Sequence, residues 1–368
     1  MKITDIEIRM CRHKHSGMKD SEMRDGKKSD LEFLVITFHT DEGLSSSTFG
    51  FAGRGAAMAG EIANSIFKPF FLGRDPLYRE KHWHEYRTAD RWWNHAPIYS
   101  YGPFDINCWL LSSMKADQPL YKYIGAYRDS VPIYGSSLVL NSPDAYAKEA
   151  VEYKEKGFNA YKLHPPGNYE FDLEAHKAVR KAVGDDFKLM SDPVAPYTFE
   201  QALRFGRELE KLNYYWYEEP LFDENFHNLR ELTRILDIPI VGTEVLAKHP
   251  YSVAECISTR VVDVVRADPS WSGGITATMK TAHLAESFGV SCEIHTAIYH
   301  PLELVNLHCC AAIKNCEFFE VLLPYDLFNF GLKESIRIEN GYAQLPNKPG
   351  LGIDLDWDFI DNTTFKKF

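Results

Sequence analysis

Tyr214-Tyr215-Trp216-Tyr217-Glu218-Glu219-Pro220 is a strand-like aromatic run that should bury itself, yet it ends in two carboxylates and a proline. A buried strand that delivers a carboxylate implies a partner that needs Glu218. Outward from it, acids or a histidine recur at nearly constant spacing, each closing a short apolar run. They are Asp192, Glu218, Glu244, Asp268, His295 and Glu320, in steps of 26, 26, 24, 27 and 25 residues. Such a period with no matching sequence repeat is what a strand, a turn, a helix and a return loop consume, so each step reads as one βα unit. The six residues then stand at the carboxyl ends of consecutive parallel strands, the face on which (β/α)8 barrels assemble active sites.

Strands are predicted near 131–136, 158–164, 187–192, 214–218, 238–244, 261–267, 289–295 and 317–323. Helical patterns separate them at 143–156, 171–183, 198–212, 225–236, 249–259, 274–287 and 303–313. Eight strands are thus joined by seven helices, and after Pro324 the rhythm stops. The fold class is α/β: a modified (β/α)7β barrel over 129–324, with an α+β capping domain built from 1–128 and the tail 325–368.

In the first segment, Ile3 to Arg9 and Leu31 to Thr40 read as antiparallel strands. Asp41-Glu42-Gly43 makes a hairpin turn to a third strand near Ser46 to Gly50. Arg12 to Lys28 is polar and aperiodic, and reads as a mobile lid over a ligand, offering His13, His15 and Arg24. Gly50-Phe51-Ala52-Gly53-Arg54-Gly55 is a second mobile candidate, three glycines around Arg54 that could close on an anion. Helices are expected over Ala56 to Leu72 and Pro103 to Lys115, with Trp92, Trp93 and His95 packing in the loop between. In the tail, short strands are expected at Ser335 to Glu339 and Tyr342 to Leu345, returning to the N-terminal module.

A chain of 368 residues with 45% hydrophobic and 14% aromatic content can fill a barrel and a second module. Its net charge of -11 argues against nucleic acid or an anionic membrane as partner. Seven cysteines, an odd number with no CxxC pair, read as reduced thiols. The N-terminus lacks an apolar signal core and no 18-residue apolar run occurs, so a cytoplasmic protein is expected. Exposed capping-domain aromatics would suit a homo-oligomer.

Asp192, Glu218 and Glu244 lie on successive strand ends about 4.8 Å apart, within reach of one ion. Without a cation that much like charge is unfavourable, and hard oxygen ligands favour Mg²⁺. Asp268, one strand before His295, can accept from one imidazole nitrogen and leave the other as a base. Lys162 and His164, two residues apart on one strand, face the same side, toward the interior. Glu293 is read as one residue out of register with the pore and stays unassigned. A cationic pair on one wall, an Asp-His dyad on the other and a metal between them suit removal of a proton next to a carboxylate.

These residues resemble the enolase superfamily, mandelate racemase subgroup, over nearly the whole chain. The carriers are Tyr217-Glu218-Glu219-Pro220, Gly242-Thr243-Glu244, Asp268 followed by Gly273-Gly274-Ile275, and Glu293-Ile294-His295. The resemblance implies that Asp192, Glu218 and Glu244 bind Mg²⁺, that Asp268 with His295 is the base, and that Glu320 hydrogen-bonds the substrate carboxylate. A Lys in place of Asp268 would mark the muconate-cycloisomerase and dipeptide-epimerase subgroup, which its absence excludes. Two departures stand out: Lys162-Leu163-His164 replaces the usual Lys-x-Lys, and Asp192-Pro193-Val194 replaces Asp-x-Asn.

The implied substrates are polyhydroxy acids, with Arg24, His15 and Arg54 as candidate binding residues. The reading is a Mg²⁺-dependent dehydratase of an aldonate or aldarate. One of His164 and His295 takes the proton α to the carboxylate, His295 as imidazolium protonates the departing 3-hydroxyl, and a metal-stabilised enediolate leads to a 2-keto-3-deoxy acid. Racemisation, epimerisation or cycloisomerisation on the same two walls is the nearest alternative. A Schiff-base aldolase using Lys162 and a barrel kept only for binding are the others.

Overall fold

The computed structural model describes residues 1–14, 30–53, 55–92, 96–246, 250–296 and 298–368. The candidates His15, Arg24, Arg54, Trp93 and His95, and most of the proposed lid, lie outside them.

The chain opens with β1 (Ile3–His13), β2 (Leu31–Thr40) and β3 (Ser45–Gly53), an antiparallel meander in register from Ile3 opposite Thr40 to His39 opposite Ser45. Helices α1 (Ala56–Ile62) and α2 (Lys68–Phe71), joined by a π turn, lead to α3 (Arg79–Asp90), α4 (Ile98–Lys115) and α5 (Leu120–Ile124). The barrel follows as β4 (Ser130–Ser136), α6 (Pro143–Glu155), β5 (Ala160–Leu163), α7 (Tyr169–Val183), β6 (Lys188–Ser191), α8 (Phe199–Lys211) and β7 (Trp216–Glu218). It continues through α9 (Phe226–Ile235), β8 (Ile240–Gly242), α10 (Pro250–Ser258), β9 (Val264–Ala267), α11 (Ile275–Ser287), β10 (Ser291–Ile294), α12 (His300–Ala312) and β11 (Phe319–Leu322). The tail holds α13 (Tyr325–Phe328), the hairpin β12 (Ile338–Glu339) and β13 (Tyr342–Gln344), α14 (Trp357–Thr363) and β14 (Thr364–Lys367).

The eight parallel strands and seven intervening helices fall where the 25-residue rhythm puts them. Parallel pairing runs from β4 through β10 in order, and β11 returns to pair with β4. The helices start where local chemistry directs. Ser142 caps α6 ahead of Pro143, Asn168 caps α7, and Thr198 with Gln201 forms a reciprocal capping box on α8. Among the described residues no ladder joins β10 to β11. At that seam the Glu293 carboxylate accepts from the backbone N–H groups of Glu317 (2.8 Å) and Phe318 (3.2 Å). This corrects the reading of Glu293: two residues before His295, it shares the inward face and satisfies donors that a ladder would otherwise take.

The tail divides between the two modules. β13 pairs with β4 of the barrel, while β14 pairs with β1 and completes the four-stranded sheet β14-β1-β2-β3. That sheet packs on α4, whose Phe104 joins Phe38, Phe67 and Phe71 in the second core. A buried carboxylate ties this module to the barrel: Asp105 of α4 accepts from Thr276 N–H (2.9 Å) and Oγ–H (2.7 Å) at the start of α11. Burial pushes that carboxyl up to about 6.

Several local expectations change. β1 continues to His13, so Arg12 and His13 belong to a strand and not to the lid: Arg12 pairs with Glu32, and His13 packs against Phe330 and Phe359. Gly50 to Gly53 is strand as well. A Cβ on Gly50 would stand 3.1 Å from Pro103, so this glycine serves close packing on α4. α4 begins at Ile98, behind Pro97, and not at Pro103, which lies inside it; α3 is an additional helix outside the expected ones. Trp92 stands exposed under Arg91 instead of packing. All seven cysteines are buried and free. No described helix is long and apolar enough to cross a membrane.

Candidate active site

The strand ends place the six spaced residues and Lys162 at one mouth of the barrel. Below them the interior is closed by Tyr134, Ala160, Met190, Trp216, Val241 and Phe318. The aromatic strand that ends in Glu218 is therefore a plug as well as a support, and Trp216 Nε1 donates to Glu218 Oε2 at 3.1 Å.

Each of the three acids predicted to bind metal sits beside backbone in the left-handed region: Val194 (φ 58) after Asp192, Glu219 (φ 40) after Glu218, and Thr243 (φ 79) before Glu244. For β-branched Val and Thr this is unusual and costs about 1–3 kcal/mol each. Ala195 N–H donates to Glu219 O (2.7 Å), Glu219 N–H to Val241 O (2.9 Å) and Thr243 N–H to Asp223 Oδ1 (2.9 Å), which hold the turns in place. Glu219 is itself buried, and burial together with Glu244 and Asp192 drives its carboxyl well above the usual range.

Lys162 is fully buried, with Nζ 2.9 Å from Glu218 Oε2, 2.9 Å from Glu320 Oε1 and 3.1 Å from Asp192 Oδ2. Burial alone would lower its pKa, but Glu218 and Glu320 raise it well above the ordinary value. His164 stands above it, its Nδ1 donating to Ser137 O (2.7 Å) and its Nε2 lying 2.8 Å from Asp192 Oδ2. Burial would raise the Asp192 carboxyl, yet Lys162 and His164 hold it well below the carboxylate range.

On the opposite wall His295 Nδ1 donates to Asp268 Oδ2 at 2.9 Å. The other Asp268 oxygen accepts from Ser270 N–H and Ser270 Oγ–H, both at 2.7 Å. His295 Nε2 is left 3.7 Å from Glu244 Oε2. Burial opposes the imidazolium, but Glu244 and Asp268 carry its pKa up to about 9. The Trp271 ring lies 4.7 Å from the imidazole. Beside it a cavity of about 240 Å³ is lined by Phe51, Tyr99, Val245 and Trp271, where β3 and α4 meet the barrel loops.

Arg266 was missed by the sequence reading, and it organises the floor. It is fully buried, two residues before Asp268. Its Nε lies 2.8 Å from Glu218 Oε1 and 3.7 Å from Glu244 Oε2, its Nη2 donates to Glu320 Oε2 (2.5 Å) and its Nη1 to Tyr134 Oη (3.2 Å). The period of two could have found it, since any residue two before a strand-end acid shares its face. Glu320, expected to meet a substrate carboxylate, here faces protein donors: Lys162 on one oxygen, Arg266 and Thr296 N–H on the other.

The three carboxylates fit a hard cation by their chemistry. Glu218 Oε1 and Glu244 Oε2 are buried without a hydrogen-bond partner. Burial pushes the Glu244 carboxyl up to about 7, with Glu218 and Asp192 adding to the shift, a repulsion that a divalent ion would relieve. As placed, no three acid, His or Cys side chains among the described residues close round a common point. Lys162 bridges Asp192 to Glu218, and Arg266 bridges Glu218 to Glu244.

Comparison with known proteins agrees with this architecture. A family model described as enolase C-terminal domain-like matches residues 145–359, well over half of the chain. The chain belongs to the enolase superfamily. It is 32% identical over 319 residues to the arabinonate dehydratase of Saccharolobus solfataricus, covering 83% of this chain and 85% of that one. It is 26% identical to the N-succinyl-L-Arg/Lys racemase of Bacillus cereus, over 92% of each. The crystal structure of D-glucarate dehydratase from Agrobacterium tumefaciens complexed with magnesium superposes with a TM-score of 0.88 at 32% identity over the full length of both chains. The superfamily resemblance read from the strand-end residues therefore holds.

Proposed function

We propose that this superfamily member is a hydro-lyase that removes water from a sugar acid, an aldonate or aldarate, to give the 2-keto-3-deoxy acid. The observation that carries the reading is the His295–Asp268 pair: a hydrogen-bonded dyad with Nε2 turned away from Asp268, facing a wall of cations and carboxylates. Its relatives include a dehydratase of this class.

In this reading the neutral form of His295, the one that gains population as pH rises toward about 9, takes at Nε2 the proton from the carbon next to the substrate carboxylate. Asp268 holds the imidazolium that forms, and the same nitrogen returns a proton to the 3-hydroxyl as the C–O bond breaks. Water leaves, and the enol that remains becomes the ketone. Every nitrogen on the opposite wall is engaged, His164 by Ser137 and Asp192, Lys162 by three carboxylates. We therefore assign Lys162 to the electrostatics of the site. An ammonium held this firmly has no lone pair to form a Schiff base, which counts against an aldolase.

Asp192, Glu218 and Glu244 would hold Mg²⁺, which when bound supplies Lewis-acid stabilisation of charge developing on the substrate carboxylate. The apolar cavity at Phe51, Tyr99, Val245 and Trp271 would shield the C–H face of the carbon chain from water. The test is incubation of the full chain with C5 and C6 aldonates and aldarates, with Mg²⁺ and with EDTA, assaying 2-keto product. Product that EDTA abolishes is expected. Exchange of the α-proton in D₂O without 2-keto product would replace this reading by a racemase or epimerase, as in the relative of that name. Neither exchange nor product from any acid would overturn it.

A further inference from the structure

The floor of the site holds four strand-end carboxylates, Asp192, Glu218, Glu244 and Glu320, against two side chains that are always cationic there, Lys162 and Arg266. Arg266 is the one that reaches Glu244. Its guanidinium comes from beneath, between β8 and β10 in the order of strands, and lies alongside Glu218 Oε1 and Glu244 Oε2. Those are the two site oxygens, among the predicted metal ligands, that lack a hydrogen bond. The Nε contact to Glu218 is within ion-pair distance but not aligned as a hydrogen bond, whereas Nη2 to Glu320 is aligned. The guanidinium is thus anchored on Glu320 and Tyr134 and offers its charge, not a directed bond, to Glu218 and Glu244.

We propose that Arg266 is a resident counter-cation that competes with the divalent ion for Glu218 and Glu244, and so sets how weakly the site binds that ion. This rests on the reading that those carboxylates are metal ligands. The physical reason is short-range and uncompensated by solvent. A fixed positive charge that close to the ligand oxygens, in a fully buried setting, repels a second cation more strongly than it could at the surface. It also removes the penalty of leaving the acids unpaired, so the ion has less to gain on binding. Arg suits the place because its charge cannot be lost and its fork can be anchored at one end while the other stays unbonded.

The experiment measures Mn²⁺ binding to the full-length chain by calorimetry and by electron paramagnetic resonance, for the natural protein, Arg266→Gln and Arg266→Lys. Thermal melting with and without Mn²⁺ runs alongside. Arg266→Gln should bind Mn²⁺ at least tenfold more tightly and gain more melting temperature from the ion than the natural chain does. Arg266→Lys, which keeps the charge, should stay within about threefold of the natural chain. Weaker or equal binding in Arg266→Gln would overturn the proposal while leaving the metal reading intact, because Arg266 would then be orienting the ligands. An equal gain in Arg266→Lys would overturn it too, since shape and not charge would be at work. If neither the natural chain nor Arg266→Gln binds Mn²⁺, the metal reading falls and this proposal with it. An Arg266→Gln chain that is insoluble both with and without millimolar Mn²⁺ also counts against it, because the ion then fails to replace the guanidinium.

Discussion

Replacing Asp268 with Asn tests the dyad without changing its shape. In the natural site, Oδ1 of Asp268 accepts from Ser270 N–H and Ser270 Oγ–H, and Oδ2 accepts from His295 Nδ1–H. The Ser270 amide is a donor only, so in the variant the carboxamide oxygen must stay at the Oδ1 position and its NH₂ must face His295. Two donors cannot share that contact. The imidazole then accepts at Nδ1 and carries its proton on Nε2, the nitrogen that has to take the α-proton. The counter-charge for an imidazolium disappears in the same step. Loss of a positioned general base costs about 10²–10⁴-fold in rate, which is about 3–5 kcal/mol on the barrier. Stability should change little, because the backbone and both serine contacts survive. The assay pairs α-proton exchange and 2-keto formation with the ¹⁵N shifts of the His295 ring, assigned by comparison with a His295→Asn sample. A variant that keeps more than a tenth of the activity, or a ring that stays protonated at Nδ1, would refute the reasoning.

Two further outcomes concern the scaffold. His308 accepts from Tyr121 N–H at Nδ1 (3.1 Å) and donates from Nε2 to Leu351 O (3.0 Å), a pattern that only the neutral ring can make. Burial pushes its pKa down to about 4. The folded chain therefore binds this proton less readily than the unfolded one, so the stability is whole above about pH 6.5 and drains as pH falls toward 4. Over that window the stability difference between the natural chain and His308→Gln, from urea midpoints, should move by on the order of 3 kcal/mol in the variant's favour; a pH-independent difference would contradict this. At Gly274 (φ 96) a Cβ would meet Asp105 at 2.3–2.4 Å, and Asp105 cannot retreat without giving up Thr276. Gly184 (φ 80, ψ 179) and Gly274 (φ 96, ψ -176) share a backbone conformation that only glycine adopts readily, so each alanine variant carries about 1–3 kcal/mol of backbone strain. Gly274→Ala should cost about 1–3 kcal/mol more for the clash, because a Cβ on Gly184 meets nothing within 4 Å. Equal melting temperatures for the two variants would show that the contact to Asp105 does not matter.

The barrel was legible because a βα unit consumes a nearly fixed length of chain. Six chemically marked residues at that spacing locate the strand ends even where a strand such as Trp216–Glu218 is three residues long. The capping module was less legible. α4 is buried on nearly every face, so its composition shows no amphipathic stripe, and Pro103 within it imitates a helix start. His13 looked like part of a polar loop because the strand that carries it ends on aromatic partners from the tail, more than 300 residues away in sequence.

Within the site, the strand-end rule read the rim and missed the layer beneath it. Lys162 was placed by counting back two from His164, and the same count from Asp268 gives Arg266, from Glu320 gives Phe318 and from His295 gives Glu293. A Phe at that depth plugs the barrel, a Glu there closes the β10–β11 seam, and an Arg there can only be tolerated beneath acids. Glu244 breaks this counting for a separate reason. Val241 belongs to the interior plug, and strict alternation would turn a residue three positions later outward. The left-handed Thr243 resets the alternation, and Asp223 holds that turn by accepting from the N–H groups of Thr243 and Leu246. An arrangement that accepts strained backbone beside each of three acids, and buries two cations to support them, cannot be explained by packing alone: an all-apolar layer would be easier to stabilise. Its cost makes sense if those carboxylates have to stay ionised and converge on one place, which is also the condition for taking a proton from a carbon acid beside them.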